Sequence, residues 1–382
     1  MRRYLNYLPI VLLLCAPLTA APATAEQTWW HTQALSTAHL RGGSATNIIV
    51  EDDGWLQLEP GIAQGTIETA PISVALPFDA VSLRWREQRE GDAALDLRLR
   101  TSADGVAWST WHDVHADPHA ASPDGWQHGE LLLLGSETGL QRYVQLSATL
   151  AGMRLGDLTL FVSDGSRGPT TAKALQRIAP SSDTLPIVSR SAWGNPEGQD
   201  SPNWPPEYAP VTHIILHHTA TANSATDWAA VVRSIWAYHA QSLGWGDIGY
   251  HYLIDPNGVI YEGRAGGDQA EAGHTLGYNR GTIGIVWLGC FDSSSCGSVV
   301  GGVAPSEASL LAAEALISAK AQEHGLRLDA AATDARGRAF ATLSGHQDLL
   351  ATACPGDLLK GQIGRFLGLS PQRFYAPIAL TG

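Results

Sequence analysis

Two short segments of this chain hold residue types that could do chemistry together. In Leu343-Ser344-Gly345-His346-Gln347-Asp348, followed by Thr352-Ala353-Cys354-Pro355-Gly356, an imidazole and a thiol stand eight residues apart on an apparent loop. Much earlier, Ile214-Ile215-Leu216 runs straight into His217-His218-Thr219-Ala220. Two histidines and one cysteine gathered at strand ends give zinc three protein ligands and leave one corner open. That is the coordination of a hydrolytic zinc rather than a structural one. If residues 212–218 form a strand, His213, Ile215 and His217 share one face, and Ile214, Leu216 and His218 the other. Only one of His217 and His218 then reaches a shared metal without a bulge, and the pattern favours neither. A metal-activated water also needs help with the oxyanion and the leaving amine. No HExxH motif supplies a glutamate; the candidates are Tyr250, Thr352 and Asp348, the last either a carboxylate orienting His346 or only a loop acid.

The elements that must position these groups read as α/β. Val211–Leu216 is a short buried strand, followed by a helix near 225–242 with Trp228, Val231, Val232, Ile235, Trp236 and His239 on one face. Residues 250–254 and 259–262 flank Asp255-Pro256-Asn257-Gly258, a hairpin signal. Residues 282–288 read as another strand. Ser306 caps a helix whose stripe is Leu310, Ala313, Ile317 and Ala321 and which ends at Gly325. A last strand over 340–343 leads into the His346 loop, and a final helix is expected over 357–367. Helices interleaved with strands imply a central mixed sheet flanked by helices over residues 187–382.

Residues 26–164 read differently. Val81, Leu83 and Trp85 alternate with polar residues, as do Leu95, Leu97 and Leu99, then Leu158, Leu160 and Val162. Turn signals at Ala103-Asp104-Gly105 and Pro123-Asp124-Gly125 separate such runs. The expectation is an all-β, jelly-roll-like sandwich of two sheets. Residues 165–186, rich in Gly, Ser, Pro and Thr, read as a linker with a short helix near Lys173–Ile178.

Composition narrows the function. Residues 1–25 carry Arg2 and Arg3, an apolar stretch too short to span a bilayer, and Ala23-Thr24-Ala25. This is an export signal, and the protein is expected to be periplasmic or secreted, with no membrane span after its removal. A formal charge of −13 argues against nucleic acid as partner. Of four cysteines, Cys15 lies in the signal. Cys290 and Cys296, six apart across a flexible loop, are expected to form a disulfide in an oxidising compartment. Cys354 is left alone, and a lone thiol in an exported protein oxidises unless it is buried or holds a metal.

Six blocks, in order, make the C-terminal half resemble the peptidoglycan recognition proteins and the related phage-type N-acetylmuramoyl-L-alanine amidases. They are Val188-Ser189-Arg190-Ser191-Ala192-Trp193-Gly194; His213 to Ala220; Gly249-Tyr250-His251-Tyr252-Leu253-Ile254; Ala272-Gly273-His274 with Gly277-Tyr278-Asn279; Ile283-Gly284-Ile285; and Gly345-His346-Gln347-Asp348 with Thr352 to Gly356. The resemblance implies zinc as cofactor, held by His217, His346 and Cys354, and settles the choice between the paired histidines. It implies that Tyr250 assists the zinc water and assigns Thr352 a position that varies within the family. His274, Asn279 and His251 fall in blocks that line the family's substrate groove. Members that bind without cutting typically lack the ligand cysteine, so Cys354 implies hydrolysis of the muramyl–L-alanine amide, with peptidoglycan or muropeptides as partner. The segment from Asp292 to Pro305 departs from the family as an insertion beside the groove. The N-terminal region more loosely resembles galactose-binding-like jelly rolls, with Trp108, Trp111 and Trp126 as sugar platforms or as packing residues of the sandwich. Two other readings stay open: a recognition module that binds wall fragments without hydrolysis, and a cysteine peptidase using Cys354 with His346.

Overall fold

The protein was analysed as a computed structural model, which describes residues 28–120, 125–134, 139–178 and 185–369. The expected export signal lies outside them.

The C-terminal half holds a six-stranded sheet in the order Ile187–Val188, Ile260–Glu262, Tyr252–Ile254, Thr282–Trp287, His213–His218, Leu343–Gly345. The Tyr252–Ile254 and Ile260–Glu262 pair is the antiparallel hairpin expected around Asp255–Gly258; every other neighbour is parallel. The two central strands are buried along their whole length. Parallel strands covered on both faces need apolar side chains on both, hence the near-continuous Ile-Ile-Leu and Ile-Gly-Ile-Val runs.

One face packs against the Glu307–His324 helix through Ile214, Leu216, Ile285, Leu310, Ala313 and Ile317. Ser306 caps that helix by accepting from Ser309 N–H, and Gly325 ends it at φ 64°, a left-handed geometry that glycine adopts without steric cost. The other face packs against the Trp228–Ala237 helix, capped by Asp227. The strand expected over 340–343 divides at Thr342: Ala339–Ala341 pairs with Ala331–Thr333, and Leu343–Gly345 joins the main sheet. The final helix also divides, at Gly361.

In the N-terminal half the period of two was legible and the strand lengths were not. Runs that read as separate strands merge into Ala80–Ser102 and Gln141–Ser163, each 23 residues long and paired antiparallel. Residues 90–93 bulge out opposite Gly152 and form the exposed middle of a ribbon. Both strands change neighbours along their length. They link every strand of this half into one 11-stranded sheet rather than two separate ones. Its own core includes Leu56, Phe78, Val144, Leu150 and Leu160, all with no exposed surface.

The described part of the 165–186 segment is no tether. Arg233, itself fully buried, donates from Nε to Gly165 O at 2.6 Å and from Nη1 to Pro169 O at 2.8 Å. Its short helix, Thr171–Leu175, begins two residues and ends three residues ahead of the Lys173–Ile178 expected. A single apolar core runs across the boundary, joining Trp29, Ala80, Leu131 and Phe161 to Ala174, Trp228, Val232, Ile235 and Trp236. Burying each such large side chain contributes about 1.5–3 kcal/mol, so the two halves are held as one body.

Candidate metal centre and active site

The parallel pairing of His213–His218 with Leu343–Gly345 sets Leu216 opposite Gly345. Both strands therefore deliver their next residues, His217 and His346, to the same carboxyl edge of the sheet, where α/β sites form. Gln347 N–H then donates to Cys354 O at 2.8 Å, closing the loop so that the thiol returns beside the imidazole. The ligand atoms of His217, His346 and Cys354 all lie within 4.8 Å of one another, and all three residues are buried.

The strand faces separate the two adjacent histidines. His217 turns to the metal set, with Nδ1 3.5 Å from Cys354 Sγ. His218 turns to the opposite side, where its Nδ1 accepts from Phe291 N–H at 3.3 Å, while its own backbone N–H points at Cys354 Sγ from 3.4 Å.

The chemical state of the three donors suits a divalent cation. Burial holds His217 well below its ordinary pKa, with His346 and His274 adding repulsion, and burial lowers His346 to about 3. Both are neutral ligands at any physiological pH. Neither ring nitrogen of His346 has a hydrogen-bond partner among the described residues, although the residue is 1% exposed. Buried polar atoms are rarely left so, and a metal ion resolves one of them. Burial pushes the Cys354 thiol up to about 12. Alone it is a poor nucleophile, which counts against the cysteine peptidase; beside a dication it ionises.

The other expected residues divide. Tyr250 lines the cleft above the donors, its ring centroid 5.4 Å from that of His217. Burial, with Cys354 next, raises its hydroxyl well above the ordinary range, so it is always a proton donor. Thr352 lines the same cleft and accepts Cys354 N–H at 3.2 Å, shaping the thiol's turn. Asn279 borders the adjoining cavity, its Oδ1 held by Thr275 N–H at 2.6 Å.

One expectation needs correction, and two further residues are placed by their partners. His251 is 2% exposed and both its nitrogens are spent on backbone: Nδ1 accepts from Gly284 N–H at 3.0 Å and Nε2 meets Ala270 O at 2.8 Å. It clamps strands rather than meeting substrate. His274 borders the cleft but is 4% exposed, and its Nδ1 lies 3.0 Å from His217 Nε2 while its Nε2 lies 3.1 Å from Thr282 Oγ1. It lines both cavities and at the same time backs His217. Gly284 makes room for it, since a Cβ there would come within 2.5 Å of its ring. Asp348 accepts Gly345 N–H at 2.9 Å and pairs with Lys360, so it holds the turn and leaves the His346 ring untouched.

Cys290 and Cys296 are bonded, and Ser295, Cys296 and Gly297 of the insertion line one cleft wall. The tryptophans are half-buried and carry arginines on one side: Arg100 lies 4.5 Å over Trp111 and 5.2 Å over Trp108, which also lines a cavity, and Arg84 and Arg86 lie over Trp126. Sequence reasoning passed over His119 of the N-terminal half, which stacks on His346 with centroids 4.7 Å apart. No local pattern marked it.

The family model described as N-acetylmuramoyl-L-alanine amidase matches residues 207–357. Peptidoglycan-recognition protein SC2 of Drosophila simulans is 32% identical over 181 residues, covering 46% of this chain and 84% of that protein. This chain belongs to the peptidoglycan-recognition protein and N-acetylmuramoyl-L-alanine amidase family. Within the family, peptidoglycan-recognition protein LE of Drosophila melanogaster is 40% identical over 107 residues, 28% of this chain and 30% of its own length. Human N-acetylmuramoyl-L-alanine amidase is 34% identical over 154 residues, 39% of this chain and 23% of its own. The likeness to these last two spans less than a third of either protein. Relatives are thus named both for recognition and for hydrolysis. Among the described residues no helix is long and apolar enough to cross a membrane.

Proposed function

We propose that the protein is an exported zinc amidase that cleaves the amide between the lactyl group of N-acetylmuramic acid and L-alanine in peptidoglycan or muropeptides. The observation that carries this reading is the buried trio of His217, His346 and Cys354, with Cys354 lining a cleft and both His346 nitrogens unpartnered among the described residues. Zinc held there supplies Lewis-acid polarisation of the carbonyl and an acidified water. The chain's own groups do the rest. Neutral His217 and His346 present lone pairs. The Tyr250 hydroxyl, always protonated and without a partner among the described residues, donates to the oxygen on which charge develops. Thr352 keeps its hydroxyl hydrogen for the cleft while its oxygen holds the Cys354 amide.

The test is release of stem peptide from a soluble disaccharide peptide and from purified sacculi, with product masses, before and after chelation. About one zinc per chain, loss of release on chelation and recovery on readdition are expected. Cys354→Ser removes the thiolate and lowers turnover by at least about a hundredfold. Full turnover after complete metal removal refutes the zinc mechanism. Muropeptide binding with no release by the zinc-loaded protein points to the recognition module instead.

A further inference from the structure

The cleft is not built by the catalytic half alone. Asp117, Pro118, His119, Glu130 and Leu131, all of the N-terminal half, line the cavity of about 210 Å³ that holds Tyr250, Thr352 and Cys354. A second cavity of about 500 Å³, bordered by Trp204, Glu207, Leu276 and Asn279, adjoins it. Pro118 and His119 line both, so the loop tip lies where the two meet.

The tip is held from both sides. Asp117 N–H donates to His128 O at 2.7 Å, and Asp117 Oδ1 accepts His119 N–H at 2.8 Å. From the catalytic half, the Tyr238 hydroxyl reaches Asp117 Oδ2 at 2.9 Å and Gly129 O at 2.8 Å. The tip ends in the exposed His119 ring stacked on His346, so the side of that ligand facing away from the sheet carries a wall.

We infer that the 117–119 loop is a specificity-determining wall of the amidase cleft, admitting single soluble muropeptides and hindering the polymeric, cross-linked wall. The inference rests on the function proposed above. A polymer must continue past the reacting amide in more than one direction, whereas a fragment need only fit the two adjoining cavities. A fixed loop between them, within ring-stacking distance of a ligand, interrupts the first path and leaves the second open.

The experiment uses the full chain, because removing the N-terminal half would expose the shared core. Wild type and the double variant Pro118→Gly/His119→Gly are compared on a soluble disaccharide tetrapeptide and on sacculi. Initial rates are read for both, together with sacculus co-sedimentation, soluble-fragment affinity and zinc content. The variant is expected to raise the sacculus-to-fragment ratio about tenfold in rate and in binding. Disturbance of His346 alone would lower both rates together and show in the zinc content, leaving the ratio where it was. An unchanged ratio in an active variant overturns the wall and leaves the amidase reading intact. Absence of release from either substrate by wild type overturns the amidase reading, and the binding ratio then decides the wall.

Discussion

His274→Ala tests whether the ligand histidine is set by the residue behind it. His217 Nδ1 faces Cys354 Sγ, so its proton belongs on Nε2, where it points at His274 Nδ1 from 3.0 Å. His274 Nε2–H then donates to Thr282 Oγ1 at 3.1 Å, whose own hydroxyl reaches Tyr278 O and Asn279 O at 2.9 Å. Every proton in that chain has an acceptor, and the tautomer that frees Nδ1 for a metal is fixed as a result. Truncation leaves Nε2 buried with only Thr275 Oγ1, 3.4 Å away, in reach. An unsatisfied buried donor costs about 1–3 kcal/mol. Lost orienting partners of metal-bound histidines cost about 10–100-fold in affinity, about 1.4–2.7 kcal/mol. The two estimates agree, and both charge the loss to metal binding. The assay is zinc competition with a chromophoric chelator, alongside a thermal melt of the metal-free protein. Affinity should fall by that factor, and His274→Gln, which keeps an acceptor, should recover part of it. Wild-type zinc affinity in His274→Ala would refute the reasoning.

Three further perturbations follow from the same geometry. Tyr250→Phe removes one hydroxyl and nothing else, so kcat should fall about 10²-fold with zinc content unchanged, and undiminished turnover removes Tyr250 from the mechanism. Glu130 is held up at about 7, against 4.5, by burial and then by Asp117; such a raised carboxyl stabilises the fold fully below about pH 4.5 and loses that contribution as pH climbs through 7. Glu130→Gln should therefore melt higher than wild type at pH 8, by about 1–2 kcal/mol after allowing for partial exposure, with little difference at pH 5; equal melts at pH 8 contradict it. Asp247, with no exposed surface, pairs with Arg190 at 2.9 Å and Arg264 at 3.0 Å and accepts Ile248 and Ala265 N–H. Asp247→Ala should cost about 3–5 kcal/mol in denaturant unfolding by stranding two buried guanidiniums, and a loss under 1 kcal/mol would contradict the buried-pair argument.

Local chemistry was legible in the residues themselves. Apolar periodicity marked the Glu307–His324 helix, with Ser306 and Gly325 as its bounds, and turn residues marked the hairpin at Asp255–Gly258. Alternation along residues 213–218 showed that His217 and His218 part ways, because side chains of a strand point to opposite faces whatever surrounds them. The candidate trio could be named from motif blocks because each member sits next to its own strand end or turn.

Tertiary structure decided what depends on residues far apart in the chain. That His274 backs His217 is set by how its loop docks on Gly284, a contact that no period encodes. His251 changed role for the same reason, its ring nitrogens meeting Ala270 and Gly284 across strand neighbours. Arginines came to lie over the tryptophans only once the strands were paired. His119 reached the metal set because two halves that read as separate domains share one apolar core, and burial between surfaces is a property of the folded pair. By itself the sequence determined which groups could act and on which strand face they stand. The packing of one half against the other decided which of them meet the cleft.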